Sequence, residues 1–71
     1  MKFDEALKQF LEGKKIRCSE YQNWREHYLL DTDYNGNKLI LLCNDHGNDW
    51  SYDYACFTIE AILSDSWEIV E

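Results

Sequence analysis

Asn35-Gly36 stands between two apolar stretches, and it constrains this chain more than any other pair of residues. A tight two-residue hairpin turn needs positive φ at both central positions, which Asn and Gly tolerate best. The pair therefore predicts antiparallel strands on either side of it. Before it, residues 25–32 alternate, with Tyr28 and Leu30 on one face and His27 and Leu29 on the other. After it, Lys38 to Cys43 reads KLILLC, apolar on both faces, which predicts a central strand with each face covered.

The flanking sequence fills in a small fold. Phe3, Ala6, Leu7, Phe10 and Leu11 recur at helical spacing over residues 3–12, with Asp4 and Glu5 where the helix dipole favours negative charge. Gly13 is a natural stop. In residues 14–18, Ile16 and Cys18 face the core while Lys15 and Arg17 face away. Ser19 to Asn23 reads as a polar connection, and Asn44 to Asp49 as a second turn. Residues 50–57 alternate again, with Trp50, Tyr52, Tyr54 and Cys56 on one side and Ser51, Asp53, Ala55 and Phe57 on the other. Thr58 is placed to cap a short helix from Ile59 to Leu63, Ser64-Asp65 breaks it, and Trp67 to Val70 forms a last strand. The expected fold is α+β in one domain, residues 1–71: an N-terminal helix packed on an antiparallel sheet of about five strands, with a short second helix before the last. One helix cannot cover both sheet faces. The second apolar face, including Leu29, Ile40 and Leu42, is expected to be a contact between copies in a homo-oligomer.

Charge narrows the classes of partner. There are 7 Lys and Arg against 14 Asp and Glu, a net charge of −7. Residues 36–71 hold only Lys38 against seven acidic residues. Direct nucleic-acid binding needs clustered cations and is not expected. Hydrophobic residues at 45% argue against disorder. No apolar run approaches a membrane span, and the opening Met1-Lys2-Phe3-Asp4-Glu5 has no signal-peptide core, so a cytoplasmic protein is expected. Three cysteines without a CxxC spacing are expected to be reduced thiols.

Neither metal nor catalysis is indicated. Asp31-x-Asp33-x-Asn35-Gly36 matches the first half of a calcium loop, but Leu42 stands where the closing Glu belongs. Cys43-x-x-His46 with Cys56 falls short of four zinc ligands. No GxSxG, HExxH or glycine-rich phosphate loop occurs, so no catalytic residue and no cofactor is assigned. His27 reads as a half-exposed strand residue. Asp45, Asp49 and Asp53 read as a solvated acidic edge.

The aromatic residues are more informative. Trp67 reads as core, since large aromatics dominate small cores. Tyr21 and Trp24 lie in a polar connection close to Arg17, with Lys14, Lys15 and Arg25 nearby. Exposed aromatics beside a guanidinium suit a planar base and its phosphate.

The opening Phe3-Asp4-Glu5-Ala6-Leu7, the run Leu11-Glu12-Gly13-Lys14-Lys15-Ile16-Arg17, and Trp24 together resemble a small phage and prophage domain. So does the ending, Thr58 to Leu63 followed by Trp67-Glu68-Ile69-Val70-Glu71. The resemblance is to the phage Thoeris anti-defence sponges of the second type and covers about half the chain. It implies a non-enzymatic homo-oligomer, dimer or tetramer, in an infected or lysogenic bacterial host. Such an assembly withholds a cyclic nucleotide signal, of the cyclic ADP-ribose type or a cyclic dinucleotide, in a pocket between protomers. On that reading Arg17 contacts phosphate, Tyr21 and Trp24 stack on a base, and Trp50 or Tyr52 closes the pocket. Related sequences are associated with anti-CRISPR activity, which leaves an alternative: an acidic protein that binds a bacterial defence nuclease as a nucleic-acid mimic.

Overall fold

The computed structural model describes residues 1–70. The elements are α1 (Phe3–Leu11), β1 (Lys15–Cys18), β2 (Glu26–Thr32), β3 (Lys38–Asp45), β4 (Trp50–Tyr54), α2 (Ile59–Leu63) and β5 (Trp67–Val70). All pairings are antiparallel, and the strand order is β4-β3-β2-β1-β5. The α+β class, the N-terminal helix, the sheet and the short helix before the last strand are those the sequence predicts. β3 is interior but not central, since β2 occupies the middle.

Both helices cover one face of the sheet. Ala6 and Phe10 of α1 and Ala61 of α2 meet Ile16, Cys18, Tyr28 and Trp67 in one buried cluster. Aromatic edges hold it together: Phe57 lies 4.8 Å from Tyr28 and 5.6 Å from Trp67, both T-shaped. The Trp67 indole Nε1 donates to the Ala61 carbonyl at 2.7 Å, so its polar atom is satisfied inside the core. The Thr58 hydroxyl accepts from Ala61 N at 3.2 Å and caps α2 as its sequence position implies.

The Asn-Gly hairpin forms, but by a different turn, and the difference changes which side chains share a face. Gly36 has φ +83°, whereas Asn35 does not have positive φ. Gly36 N donates to Asp33 O at 3.1 Å, and Asp33 N to Asn37 O at 3.0 Å, closing a three-residue loop with a glycine bulge. The Asp33 carboxylate accepts from Asn35 N and Asn37 N, both at 2.9 Å. The half calcium motif is therefore a turn that ties itself together. Relative to a two-residue turn, the bulge shifts the pairing by one residue, and a one-residue shift moves every side chain to the other face. Tyr28 pairs with Leu42 and Leu30 with Ile40. Ile40 and Leu42 thus pack against the core under the helices, contrary to the expectation that they join Leu29 on the second face. That face receives Leu39, Leu41 and Cys43 instead.

Two further expectations change. β4 ends at Tyr54, after which Ala55 and Phe57 turn back into the core while Cys56 is exposed. His27 is buried, not half-exposed, at 6%. Among the described residues no helix is long and apolar enough to cross a membrane.

Candidate nucleotide-binding face

The register assembles this face without reference to any ligand. Ile16 pairs with Tyr28, which sets Arg17 opposite His27 and Lys15 opposite Leu29. Arg17 pairs with Glu68, His27 with Cys43, and Cys43 with Tyr52. One rung therefore crosses all five strands: Glu68, Arg17, His27, Cys43, Tyr52. The next rung runs Val70, Lys15, Leu29, Leu41, Tyr54. On the other side, Asp45 pairs with Trp50 and its N–H donates to Arg25 O at 2.9 Å. Side chains along a strand alternate between faces, so all of these except the main-chain-bonded Arg25 share the face that the helices leave open.

Cations gather on one side of this face with Trp24 among them, and Trp50 and Tyr52 stand on the other. Arg17 is held by two bonds: Nε donates to Glu68 Oε1 at 2.8 Å and Nη1 to the Trp24 carbonyl at 2.7 Å. A guanidinium has five N–H donors, so a fixed fork with donors to spare remains. Trp24 is 72% exposed, and Arg25 stacks over its ring with Cζ 4.8 Å from the centroid. The loop that presents both is locally built, with Asn23 Oδ1 accepting from Arg25 N at 2.9 Å. Across the face, Trp50 and Tyr52 are exposed on β4. Lys15 Nζ lies 6.0 Å from the Trp50 ring centroid. His27 meets the same ring edge-on at 5.8 Å.

His27 and Cys43 form the floor. Burial, then Lys15, then Arg17, hold the His27 imidazole below its ordinary range, against the opposing pull of Asp45. A neutral imidazole offers one donor and one acceptor beneath the cations. Burial pushes the Cys43 thiol up, so it is a packed apolar group rather than a nucleophile.

Of the residues singled out by sequence, Arg17, Trp24, Trp50 and Tyr52 come to this face or its rim. Tyr21 does not. Tyr21 N and Gln22 N both donate to Cys18 O, and this turn sends Tyr21 to the helix side. There it lines an open groove of about 730 Å³ with Lys2, Phe3, Glu60 and Leu63. Lys15 and Arg25, which the sequence marks only as cations near Arg17, and His27, read there as a half-exposed strand residue, are further members of this face and its rim. Alternation marks Lys15 and His27 as outward-facing, but only the register shows that they meet. Compared with protein-family models, curated proteins and solved structures, the chain matches none.

Proposed function

We propose that this chain is a non-enzymatic phage counter-defence protein that binds and sequesters a cyclic nucleotide immune signal in the cytoplasm of its bacterial host. The signal is of the cyclic ADP-ribose type or a cyclic dinucleotide. One observation carries the reading: Lys15, Arg17 and Arg25 stand beside Trp24, Trp50 and Tyr52 around a sheet face that neither α1 nor α2 covers. Such a surface supplies what a nucleotide needs, cations for phosphate and rings for bases. It is shallow in one copy, so a homo-oligomer completes the pocket. Arg17 and Arg25 take phosphate in this account, and Trp24 and Trp50 take the bases.

The acidic-mimic alternative is less well supported. Asp45 pairs with Trp50 on the open face, whereas Asp53 pairs with Leu42 and so lies on the helix side. Asp45 and Asp49 also accept bonds from their own turn, from Gly47 N and Trp50 N, each at 2.8 Å. The three carboxylates do not form one surface. Calorimetry with a panel of cyclic dinucleotides and cyclic ADP-ribose isomers tests the proposal. Binding that Arg17→Ala weakens supports it. No binding by wild type, with biological activity lost on neutralising Asp45, Asp49 and Asp53, overturns it.

A further inference from the structure

β4 is an edge strand, and among the described residues no strand pairs with its outer side. Two bonds fix its phase: His46 N donates to Asp49 O at 2.8 Å and Ala55 N to Ile40 O at 3.0 Å. In an antiparallel ladder the bonded pairs alternate, so Ser51 and Asp53 point their N–H and C=O groups at β3. The main-chain groups of Trp50, Tyr52 and Tyr54 therefore point outward. Of these, Trp50 N–H is taken by Asp49 Oδ1 at 2.8 Å. Those of Tyr52 and Tyr54 have no partner among the described residues.

The usual defences of an edge are missing. β4 carries no Pro, no Lys and no bulge, and its register against β3 is one-to-one. Its single charge, Asp53, faces the helix side. The opposite edge differs: Met1 brackets β5, its N donating to Trp67 O at 2.8 Å and its O accepting from Trp67 N at 3.1 Å. Both ends of β4 also turn inward, through the 46–49 turn and through Ala55, leaving the edge clear.

We infer that two copies of this chain pair antiparallel along β4, about a two-fold axis at Tyr52, into one continuous sheet. The register is self-complementary. Tyr52 exchanges two bonds with its own counterpart, and each Tyr54 N–H donates to Trp50 O of the partner subunit, about four main-chain bonds in all. On the open face Trp50 stacks against Tyr54 of the partner subunit, twice. On the other face Asp53 meets Ser51 of the partner subunit. Shifting the axis by one residue toward Tyr54 would instead set Asp53 against its own counterpart, with like charges opposed. The pairing rests on main-chain geometry and holds whether or not a nucleotide binds. Where the nucleotide reading also holds, the partner extends the aromatic side of each site.

Sedimentation equilibrium and amide hydrogen exchange test it together, on wild type, Tyr52→Pro and Tyr52→Lys. Proline at an outward-pointing edge position removes the intersubunit donor and spares every main-chain bond to β3. Lysine places two like charges across the axis. Wild type is expected at twice 8.5 kDa or a higher even multiple, and both variants at 8.5 kDa with cooperative melting retained. Where about nine-tenths of wild type is paired, the Tyr54 amide exchanges about tenfold more slowly than in Tyr52→Lys. A wild type at 8.5 kDa into the millimolar range overturns the inference. So does an oligomer whose Tyr54 amide exchanges as in Tyr52→Lys, or one that both variants leave intact. These readouts do not involve nucleotide, so failure of ligand binding is seen separately.

Discussion

Trp24→Ala separates binding from folding more cleanly than any other change to the open face. The ring is 72% exposed, and its main packing is the Arg25 guanidinium at 4.8 Å. An exposed cation–π contact is worth about 0.5–1 kcal/mol. That sets the upper limit of the folding cost, a fall in Tm of about 4–8 °C for a domain of this size. The Trp24 carbonyl that holds Arg17 is main chain and survives the substitution. Binding should respond far more. A base stacked on an aromatic ring contributes about 1–3 kcal/mol, so Kd should rise about 5- to 160-fold. Calorimetry against the tightest member of the nucleotide panel measures the second quantity, and a thermal melt the first. Arg17→Ala should weaken binding comparably, but at some cost to the fold. Its side chain is mostly buried, and its bonds to the half-exposed Glu68 and to the Trp24 carbonyl are charge-assisted, worth about 1.5–3 kcal/mol to the fold. The reasoning fails if Trp24→Ala binds as wild type does, or if its Tm drops by far more than the contact is worth.

Other consequences follow from the same geometry. Trp67→Phe removes the buried donor to the Ala61 carbonyl at about 2 kcal/mol, so the melt should fall by about 8–16 °C without loss of the helix signal in circular dichroism. Gly36→Ala forces a methyl-bearing residue to φ +83° at about 1–2 kcal/mol, and a denaturant titration should show a lower midpoint with unchanged slope. The native state holds His27 below its ordinary pKa, so the unfolded chain binds the extra proton more readily. Stability should be complete above about pH 6.5 and decline as pH falls below it, a slope that His27→Phe should flatten in melts from pH 7.5 to 5.

Much of this fold is written in local pattern, and what is not turns on register. The periodicity of Phe3, Ala6, Leu7 and Phe10 and the placement of Thr58 locate both helices because each signal is contained within a few residues. Asn35-Gly36 marks the hairpin correctly, yet the same dipeptide serves either a two-residue turn or a three-residue turn with a bulge. Asp33 decides between them by holding Asn35 N and Asn37 N, a preference visible only once the loop is closed. That single choice moves Ile40 and Leu42 under the helices and brings Leu41 and Cys43 to the open face. The candidate site divides in the same way. Arg17, Trp50 and Tyr52 are legible as outward-facing by alternation. Their meeting, with His27 between them, depends on three strand pairings that no local pattern specifies. Tyr21 has a neighbour in Arg17 along the chain but not in space, because the turn at Cys18 to Gln22 directs it to the other side.

The most direct test of sequestration is mass spectrometry of small molecules released by heating the protein after purification from cells making a cyclic nucleotide signal. The account predicts an intact cyclic nucleotide, released by wild type and absent from the Arg17→Ala, Trp24→Ala double variant. Release of nothing from wild type, or of the linear, hydrolysed form alone, would contradict it.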